Sequence, residues 1–219
     1  MNYTADEIRK GMLLYAVTDQ SWLKDGETLL SVCEDVLASG ATFLQIREKD
    51  LDANAFEAEA AKLKDLCARY KVPYVVNDSV EIALSIDADG VHVGQSDIKG
   101  RDIRSLIGPD KILGISAGTV DEAVAAEKAG ADYIGVGAVF GTSTKKNARN
   151  LTVAKLKEIS NAVSIPVVAI GGINGTNLLE LSGSGVDGVA VVSAIFAAED
   201  PGKATKQLLT LARQMVSNG

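Results

Sequence analysis

The sequence predicts an α/β fold, a single (β/α)8 barrel, from three observations. The chain has 219 residues, a length that suits one barrel of this kind. Eight short apolar runs recur along it, and segments with helical spacing lie between them. No Pro- or Ser-rich linker interrupts the alternation. Together these features predict one TIM-barrel domain that spans residues 1–219.

The eight apolar runs have the composition of buried parallel strands. They are rich in Val and Ile and lack clean alternation, as expected for strands that are covered on both faces. The predicted strands are Leu13–Val17, Phe43–Ile46, Tyr74–Val76, Gly90–Val93, Ile112–Ile115, Tyr133–Val136, Val167–Ile170 and Gly188–Val192. A doubly wound open sheet is the alternative. Eight units without a reversal in character favour the closed barrel.

Two of the segments between strands show the one-sided apolar spacing of helices. The apolar face of the first segment carries Leu29, Cys33, Val36 and Leu37. The apolar face of the second segment carries Phe56, Ala60, Leu63, Cys67 and Tyr70. Two similar turns, Lys128–Asp132 and Gly183–Asp187, each lead into a strand. A short extra N-terminal helix is expected at about Ala5–Lys10, where it would cap the bottom of the barrel.

The composition argues against some classes of partner. Hydrophobic residues make up 47% of the chain and charged residues 23%, so the chain can bury a substantial core. A net charge of −7 repels nucleic acid and anionic lipid, and 5% aromatic residues leave little for stacking on bases. We therefore expect neither nucleic acid nor a membrane as a partner.

The N-terminal segment and the cysteines indicate a cytoplasmic protein. The start has no signal-peptide pattern, and the sequence has no apolar run of the roughly 18 residues that a membrane span needs. Cys33 and Cys67 are expected to be buried free thiols rather than a disulfide. We expect a cytoplasmic protein, and the sequence leaves a homo-oligomer open.

Polar residues follow seven of the eight apolar runs. In a barrel these positions meet at the carboxyl ends of the strands, where the active site lies. In chain order they are Gln45, Arg47, Glu48 and Lys49; Asn77 and Asp78; Gln95 and Asp97; Ser116; Thr142, Ser143, Thr144 and Lys145; Gly171 and Gly172; and Ser193. Each alone is typical of a turn or a helix cap, but seven placements together predict a site.

The last two of these positions predict a phosphate site. Gly171 and Gly172 end the seventh strand and let the backbone approach a ligand closely. Ser193 follows the eighth strand. The loops after strands seven and eight are the common phosphate site of such barrels. A tight turn would explain a lone Gly-Gly pair. The glycines after strand seven together with the hydroxyl after strand eight favour phosphate binding.

The positive charges indicate more than one phosphoryl group. Gln45, Arg47 and Lys49 point to one side of an extended segment, because side chains alternate along it. Lys145 follows a run of hydroxyl residues. Arg can bind phosphate oxygens in a bidentate manner, and Lys supplies a compact charge. A solvated charged loop is the simpler explanation for Lys146 and Arg149, but three cations at the mouth of an acidic protein suggest more than one phosphoryl group.

Two carboxylates predict a magnesium site. Asp78 and Asp97 follow adjacent strands and can converge on one ion, and Mg²⁺ is usually held by one or two carboxylates, water and phosphate oxygens. Asp78 has an alternative explanation, because Asn77-Asp78-Ser79 is also an N-cap sequence for a helix that begins at Val80.

Other types of chemistry are less favoured. His92, the only histidine, lies inside the fourth apolar run, which favours a hydrogen-bonded core residue over a general base. Ser193 lacks the G-x-S-x-G context of a hydrolase nucleophile, and no Cys/His cluster has zinc spacing. Met12 and Trp22 are expected to pack in the interior.

The combined motifs resemble those of the thiamine-phosphate synthase family, in order and over nearly the whole barrel. They are Leu44-Gln45-Ile46-Arg47-Glu48-Lys49, Asn77-Asp78, Val91-His92-Val93-Gly94-Gln95-Ser96-Asp97, Gly114-Ile115-Ser116-Ala117, Thr142-Ser143-Thr144-Lys145, Ile170-Gly171-Gly172-Ile173 and Val192-Ser193-Ala194-Ile195. One departure is Gly141, where the family usually has proline before the first threonine. A glycine makes that loop more flexible.

The resemblance implies that a pyrimidine diphosphate and a thiazole phosphate condense to thiamine phosphate and pyrophosphate. The pyrimidine diphosphate would be bound by the segment Gln45, Ile46, Arg47, Glu48 and Lys49 together with Asn77, Ser116 and Lys145. The thiazole phosphate would be bound by Thr142, Ser143, Thr144, Gly172, Val192 and Ser193. Asp78 and Asp97 would hold Mg²⁺, and the catalytic residues would be Arg47, Lys49, Ser116 and Lys145.

Three other functions are compatible with parts of the pattern. A thiazole tautomerase, an isomerase related to this family, needs acid and base residues but no diphosphate site. Another phosphate-binding barrel, such as a sugar-phosphate isomerase or an indole-forming lyase, shares the Gly-Gly loop but needs neither both aspartates nor a second set of cations. A non-catalytic ligand-sensing barrel would bind without turnover. The intact charged set favours the synthase.

Overall fold

The chain folds into a closed ring of eight parallel strands. The computed structural model describes residues 3–48, 51–99, 101–141 and 151–218. Each strand pairs with the next along the chain, and the last strand closes the ring on the first. The strands are β1 (Leu14–Val17), β2 (Phe43–Ile46), β3 (Tyr74–Asn77), β4 (Gly90–Val93), β5 (Ile112–Ala117), β6 (Tyr133–Gly137), β7 (Val167–Ile170) and β8 (Gly188–Val191). The predicted barrel is confirmed over the open sheet, and each strand bound lies within two residues of its prediction.

Helices surround the barrel and alternate with its strands. They are α1 (Ala5–Gly11), α2 (Leu29–Ala38), α3 (Ala53–Tyr70), α4 (Val80–Ser85), α5 (Ile103–Ile107), α6 (Val120–Lys128), α7 (Val153–Ser160), α8 (Ser193–Phe196) and α9 (Pro201–Ser217), with 3-10 helices at Gln20–Trp22 and Leu178–Leu181. Asp52 illustrates how they begin, because its side chain accepts the N–H of Ala55 at 2.9 Å. Among the described residues, no helix is long and apolar enough to cross a membrane.

The barrel interior is filled by side chains, and α1 closes its lower end. Ile8 of α1 and Met12 pack with Tyr15, Phe43 and Tyr133 in one buried cluster inside the ring. The predicted N-terminal cap is therefore present. A second, larger cluster lies between the strands and the outer helices and includes the predicted apolar faces of α2 and α3. Because the interior is packed, ligands have access only at the rim.

Two smaller predictions have different outcomes. Cys33 and Cys67 are buried free thiols, as predicted. Trp22 was expected to pack in the interior, and this was wrong, because 42% of its surface is exposed. Trp22 lies in the short 3-10 helix that follows β1, at the carboxyl end of the strand. Its position makes this single tryptophan a useful fluorescent reporter for ligands at the mouth.

Aspartates before three strands tie the opposite end of the barrel together. Asp89, Asp132 and Asp187 precede β4, β6 and β8, and each carboxylate accepts a backbone N–H near the start of the preceding strand. The pairs are Tyr74 N to Asp89 at 3.0 Å, Leu113 N to Asp132 at 2.7 Å and Val167 N to Asp187 at 2.8 Å. The aspartates of the two similar turns are thus structural, and the predicted site residues lie at the other end of the strands.

Candidate active site

Several of the described polar residues that follow β2 and β3 line one groove at the carboxyl end of the barrel. Because the strands are parallel and adjacent, their loops lie side by side at this rim. The groove has a volume of about 480 Å³ and is lined by Arg47, Glu48, Phe56, Asn77, Asp78, Ser79 and Glu81. Four of these residues, Arg47, Glu48, Asn77 and Asp78, belong to the predicted site.

A hydrogen-bonded junction fixes the Arg47 end of the groove. The buried Thr18 hydroxyl accepts the backbone N–H of Arg47 at 3.0 Å and donates to Glu48 at 2.5 Å. The second oxygen of Glu48 accepts the backbone N–H of Gln20 at 3.0 Å. Burial raises the pKa of Glu48. The junction joins the loops after β1 and β2 and so orients the backbone that carries Arg47.

Asp78 is held in an unusual backbone conformation. Its φ is +61°, in the left-handed region, which Asp and Asn tolerate better than most residues. Its N–H donates to the carbonyl of His92 at 2.8 Å, which ties the end of β3 to β4. Ser79, not Asp78, is the N-cap of α4, because its hydroxyl accepts the N–H of Ile82 at 3.2 Å. The segment Asn77-Asp78-Ser79 therefore caps the helix that begins at Val80, as the alternative expected, but the capping side chain is that of Ser79 and not that of Asp78.

The carboxyl groups of Asp78 and Asp97 face each other. They lie within hydrogen-bonding range, and surrounding protein atoms partly shield Asp78 from water although its side chain reaches the surface. This desolvation, followed by the charge of Asp97, raises the pKa of Asp78, while Asn77 and Arg47 oppose the shift. Asp97 is anchored because its Oδ2 accepts the N–H of Gly94 at 2.9 Å. Two repelling carboxylates at one point are suited to a cation.

The donor set fits Mg²⁺ better than a metal that is enclosed by protein. Within the described ranges, no cluster of three or more His, Cys, Asp or Glu side chains could surround an ion. Two carboxylates are the usual protein share for Mg²⁺, which keeps water and takes phosphate oxygens for its remaining positions. Asp78 and Asp97 therefore fit the predicted ion, provided that a phosphorylated ligand completes the coordination.

Gln45 and Ser116 lie at the two ends of a hydrogen-bonded chain through the barrel interior. Gln45 is 4% exposed and its amide nitrogen lies 2.5 Å from the Tyr15 hydroxyl. The chain continues to Tyr133 at 2.8 Å, to His92 Nδ1 at 2.9 Å, and from His92 Nε2 to Ser116 Oγ at 3.0 Å. His92 is thus buried and hydrogen-bonded, as the core interpretation expected. The two tyrosines were missed because they stand in apolar runs.

The loops after β6 and β7 touch each other. Phe140 donates its N–H to the carbonyl of Gly171 at 3.0 Å. A Cβ on Gly172 would lie 2.0 Å from the carbonyl oxygen of Gly141, so only glycine allows this approach. Gly141 has a φ of +72°, which proline cannot adopt because its ring holds φ near about −65°. This conformation gives a physical reason for the departure from the family's usual proline.

The remaining predicted positions have three different outcomes. Val192 is the N-cap residue of the four-residue helix α8, and Ser193 begins that helix, next to the loop after β7 because β7 and β8 are paired. Ile46 is fully buried in β2 and contributes to the core rather than to the groove surface. Lys49, Thr142, Ser143, Thr144 and Lys145 lie outside the described residues.

Comparison with known proteins agrees with the resemblance. The family model described as "Thiamine monophosphate synthase" matches residues 14–195. A thiamine-phosphate synthase of Methanobrevibacter smithii is 49% identical over 196 residues, which cover 90% of this chain and 93% of that protein. One of Clostridium tetani is 46% identical over 195 residues, which cover 89% and 93%.

A solved structure also agrees with the resemblance to this family. The thiamine phosphate pyrophosphorylase of Pyrococcus furiosus superposes with a TM-score of 0.87 at 37% identity, and the match covers 95% of this chain and 99% of that one. The family model spans all eight strands together with the groove, the aspartate pair and the Gly-Gly loop. The chain belongs to the thiamine-phosphate synthase family.

Proposed function

We propose that the protein condenses 4-amino-5-hydroxymethyl-2-methylpyrimidine diphosphate with a thiazole phosphate to give thiamine phosphate and pyrophosphate. One observation carries the proposal. Arg47, Asn77 and Asp78 line a single groove, and Asp97 adds a second carboxylate to it. A cation and an acidic pair at one place suit a diphosphate with its Mg²⁺. The names of the relatives point to the same activity.

The two substrates are assigned to neighbouring parts of the rim. The pyrimidine diphosphate is assigned to the side of β2 to β5, with residues Gln45, Arg47, Glu48, Lys49, Asn77 and Ser116, and with Lys145 from the loop after β6, while the buried Ile46 only supports this side from the core. Within this set, Glu48 orients Arg47 through Thr18. The thiazole phosphate is assigned to the side of β6 to β8, with residues Thr142, Ser143, Thr144, Gly172, Val192 and Ser193.

The reaction requires charge stabilisation rather than proton transfer. The C–O bond between the pyrimidine methylene and the diphosphate breaks, and its electron pair leaves with the pyrophosphate oxygen. The thiazole nitrogen then supplies the lone pair for the new C–N bond, so no general base is needed. Arg47, Lys49 and Lys145 bind the departing oxygens, and Ser116 holds the pyrimidine. Mg²⁺ at Asp78 and Asp97, when bound, adds further charge to the same leaving group.

The direct test is a coupled assay. The protein is incubated with both phosphorylated precursors and Mg²⁺, and pyrophosphate and thiamine phosphate are measured. We expect equal amounts of the two products, and a loss of both on addition of EDTA. A thiazole tautomerase would isomerise its thiazole without the pyrimidine diphosphate, and a sensing barrel would change Trp22 fluorescence without turnover. Either result would contradict the proposal.

The substitution Asp78→Asn tests the metal site. Asn tolerates the left-handed conformation of residue 78, so the backbone should be preserved while one negative charge is lost. We expect Mn²⁺ affinity, measured by EPR in the presence of pyrophosphate, to fall by at least about tenfold, because even residues one shell further out commonly cost that much. Asp65→Asn, on the outer surface of α3, is the control. Equal Mn²⁺ binding by the two variants would remove Asp78 from the site.

A further inference from the structure

An unbroken series of polar groups crosses the otherwise apolar interior of the barrel. It begins at Gln45 on β2, passes through Tyr15 and Tyr133, and reaches Ser116 on β5 through His92. Both ends are residues assigned to the pyrimidine diphosphate, while the three middle residues are too deep to contact solvent freely. Tyr15 is 1% exposed, Tyr133 0% and His92 9%. Three buried hydrogen bonds and one partly buried hydrogen bond thus join Gln45 on β2 to Ser116 on β5.

The barrel leaves space for this series at particular glycines. A Cβ on Gly114 would lie 2.2 Å from the ring of Tyr133 and 2.5 Å from His92 Nδ1. A Cβ on Gly135 would lie 3.1 Å from the imidazole ring. Gly114 belongs to β5, which lies between the strands that carry His92 and Tyr133. Gly135 belongs to β6, the strand of Tyr133 itself. Any larger side chain at Gly114 would displace the imidazole or the phenol, so the strand sequence preserves the junction.

The donor and acceptor roles along the series depend on one another. Each tyrosine hydroxyl has one proton to donate, and a neutral imidazole has one N–H. If the Gln45 amide donates to Tyr15 and each phenol proton is donated within the series, then Tyr15 donates to Tyr133, and Tyr133 donates to His92 Nδ1. The imidazole proton then lies on Nε2 and is donated to Ser116 Oγ. Gln45 is left with a carbonyl oxygen for the ligand, and Ser116 with its hydroxyl proton.

When each phenol donates its one proton within the series, reversal of one bond reverses all the others. If the Gln45 carbonyl accepted from Tyr15, the imidazole proton would lie on Nδ1 and Ser116 would donate inward. The ligand would then meet amide protons at Gln45 and only lone pairs at Ser116. Burial raises the pKa of Tyr15 and of Tyr133, so neither phenol loses the proton on which the series depends. The geometry favours the first direction, because the amide nitrogen of Gln45 is the atom that faces Tyr15.

We propose that Tyr15, Tyr133 and His92 are positioning residues that set Gln45 as an acceptor and Ser116 as a donor toward the pyrimidine. An aminopyrimidine offers the matching pattern, because its amino group donates and its ring nitrogens accept. A pyrimidine with a carbonyl in place of the amino group offers the reverse pattern at that position. The series therefore selects the amino form. The choice of ligand rests on the proposed function, whereas the proton positions do not.

The tautomer of His92 can be measured directly, because it is the only histidine. Histidine labelled with ¹⁵N gives one imidazole in the NMR spectrum of the full chain, and its two nitrogens report which one carries the proton. In the unliganded wild-type protein we expect a neutral ring with the proton on Nε2. A ring with the proton on Nδ1, or a charged ring, would overturn the proposal. This readout needs no substrate, so it stands even if the coupled assay shows no product.

Substitution of the tyrosines separates positioning from packing. In Tyr133→Phe we expect a mixture of His92 tautomers and a roughly three- to tenfold higher KM for the pyrimidine diphosphate, with the KM for the thiazole phosphate unchanged. Tyr15→Phe should raise the same KM and leave the tautomer as in wild type, because Tyr133 can still donate to His92. This second variant keeps the test available if Tyr133→Phe does not fold.

A matched control is available in β3. Tyr74 is also fully buried, but its hydroxyl donates to the carbonyl of Ala60 at 3.1 Å and has no part in the series. Tyr74→Phe removes an equally buried hydroxyl and should change neither the tautomer nor either KM. Equal effects of Tyr74→Phe and Tyr133→Phe on the KM for the pyrimidine diphosphate would show that only packing was lost. An unchanged tautomer in Tyr133→Phe would refute the proposed link as well.

Discussion

Replacement of Arg47 by Ala is expected to lower kcat/KM for the pyrimidine diphosphate by roughly 10²–10³-fold, the usual effect of losing one group that stabilises developing charge. The guanidinium lies in the groove beside Asp78, where the diphosphate and its Mg²⁺ would meet. Its backbone is fixed through Thr18, so the side chain extends from a rigid point. Because pyrophosphate gains charge as it leaves, the loss should affect kcat more than KM. Steady-state pyrophosphate release measures both.

Two further variants show whether charge or packing is responsible. Arg69→Ala removes the same charge from the outer surface of α3, where Arg69 lies 3.7 Å from Glu34 in an exposed ion pair, and should leave kcat/KM unchanged. Arg47→Lys keeps the charge but not the bidentate geometry, and should recover only part of the lost rate. A normal kcat in Arg47→Ala would remove the arginine from the transition state, whatever its effect on KM.

Strand positions and the location of the site could be predicted from the sequence because both follow from local patterns. A run such as Val167–Ile170 is hydrophobic enough to identify a buried strand without any knowledge of its neighbours. A parallel barrel then places every residue that follows a strand at the same rim. Arg47, Asn77 and Asp78 were found by this rule alone, and the groove that contains them required no further information.

Contacts between distant segments could not be predicted in the same way. Thr18 joins the loops after β1 and β2, but in the sequence it is an ordinary polar residue at the end of an apolar run. Tyr15 and Tyr133 have the hydrophobic neighbours of core residues, and their hydroxyls become informative only when the barrel brings them together with His92. Trp22 was misplaced for a related reason, since a large aromatic side chain usually packs in the interior.

The backbone conformation of Asp78 was a second feature that the sequence did not specify. In the sequence, Asn77-Asp78-Ser79 suits a helix cap, and the preference of Asp for such positions supported that alternative. Ser79 provides that cap for the helix that begins at Val80, whereas Asp78 adopts a left-handed φ and its carboxyl group lies close to that of Asp97. The sequence predicted that Asp78 and Asp97 lie close together, but residue preferences did not specify the left-handed torsion angle of Asp78.

The conformation of Gly172 leads to the other large effect, a loss of thiazole phosphate binding in Gly172→Ala. The added methyl group would lie 2.0 Å from the carbonyl oxygen of Gly141, so the loops after β6 and β7 must separate. The Gly172 carbonyl also accepts hydrogen bonds from the side chains of Asn174 and Asn177 at 3.1 and 3.0 Å, which resist this movement. We expect kcat/KM for the thiazole phosphate to fall by roughly 10²-fold, the scale of a misplaced binding group.

Gly183→Ala separates crowding from backbone strain. Gly183 has a φ of +74°, close to the +66° of Gly172, but a Cβ there would meet no atom within 4 Å. Both substitutions therefore carry the strain of a left-handed alanine, about 1–2 kcal/mol of folding free energy, and only Gly172→Ala also drives the loops apart.

Urea unfolding should show a similar strain cost in both, while activity falls in Gly172→Ala alone. Mn²⁺ affinity at Asp78 and Asp97, on the other side of the rim, should stay normal in both variants. If Gly183→Ala lost activity to the same extent, the effect would be a general loss of stability, and contact between the two loops would have no part in holding the thiazole phosphate.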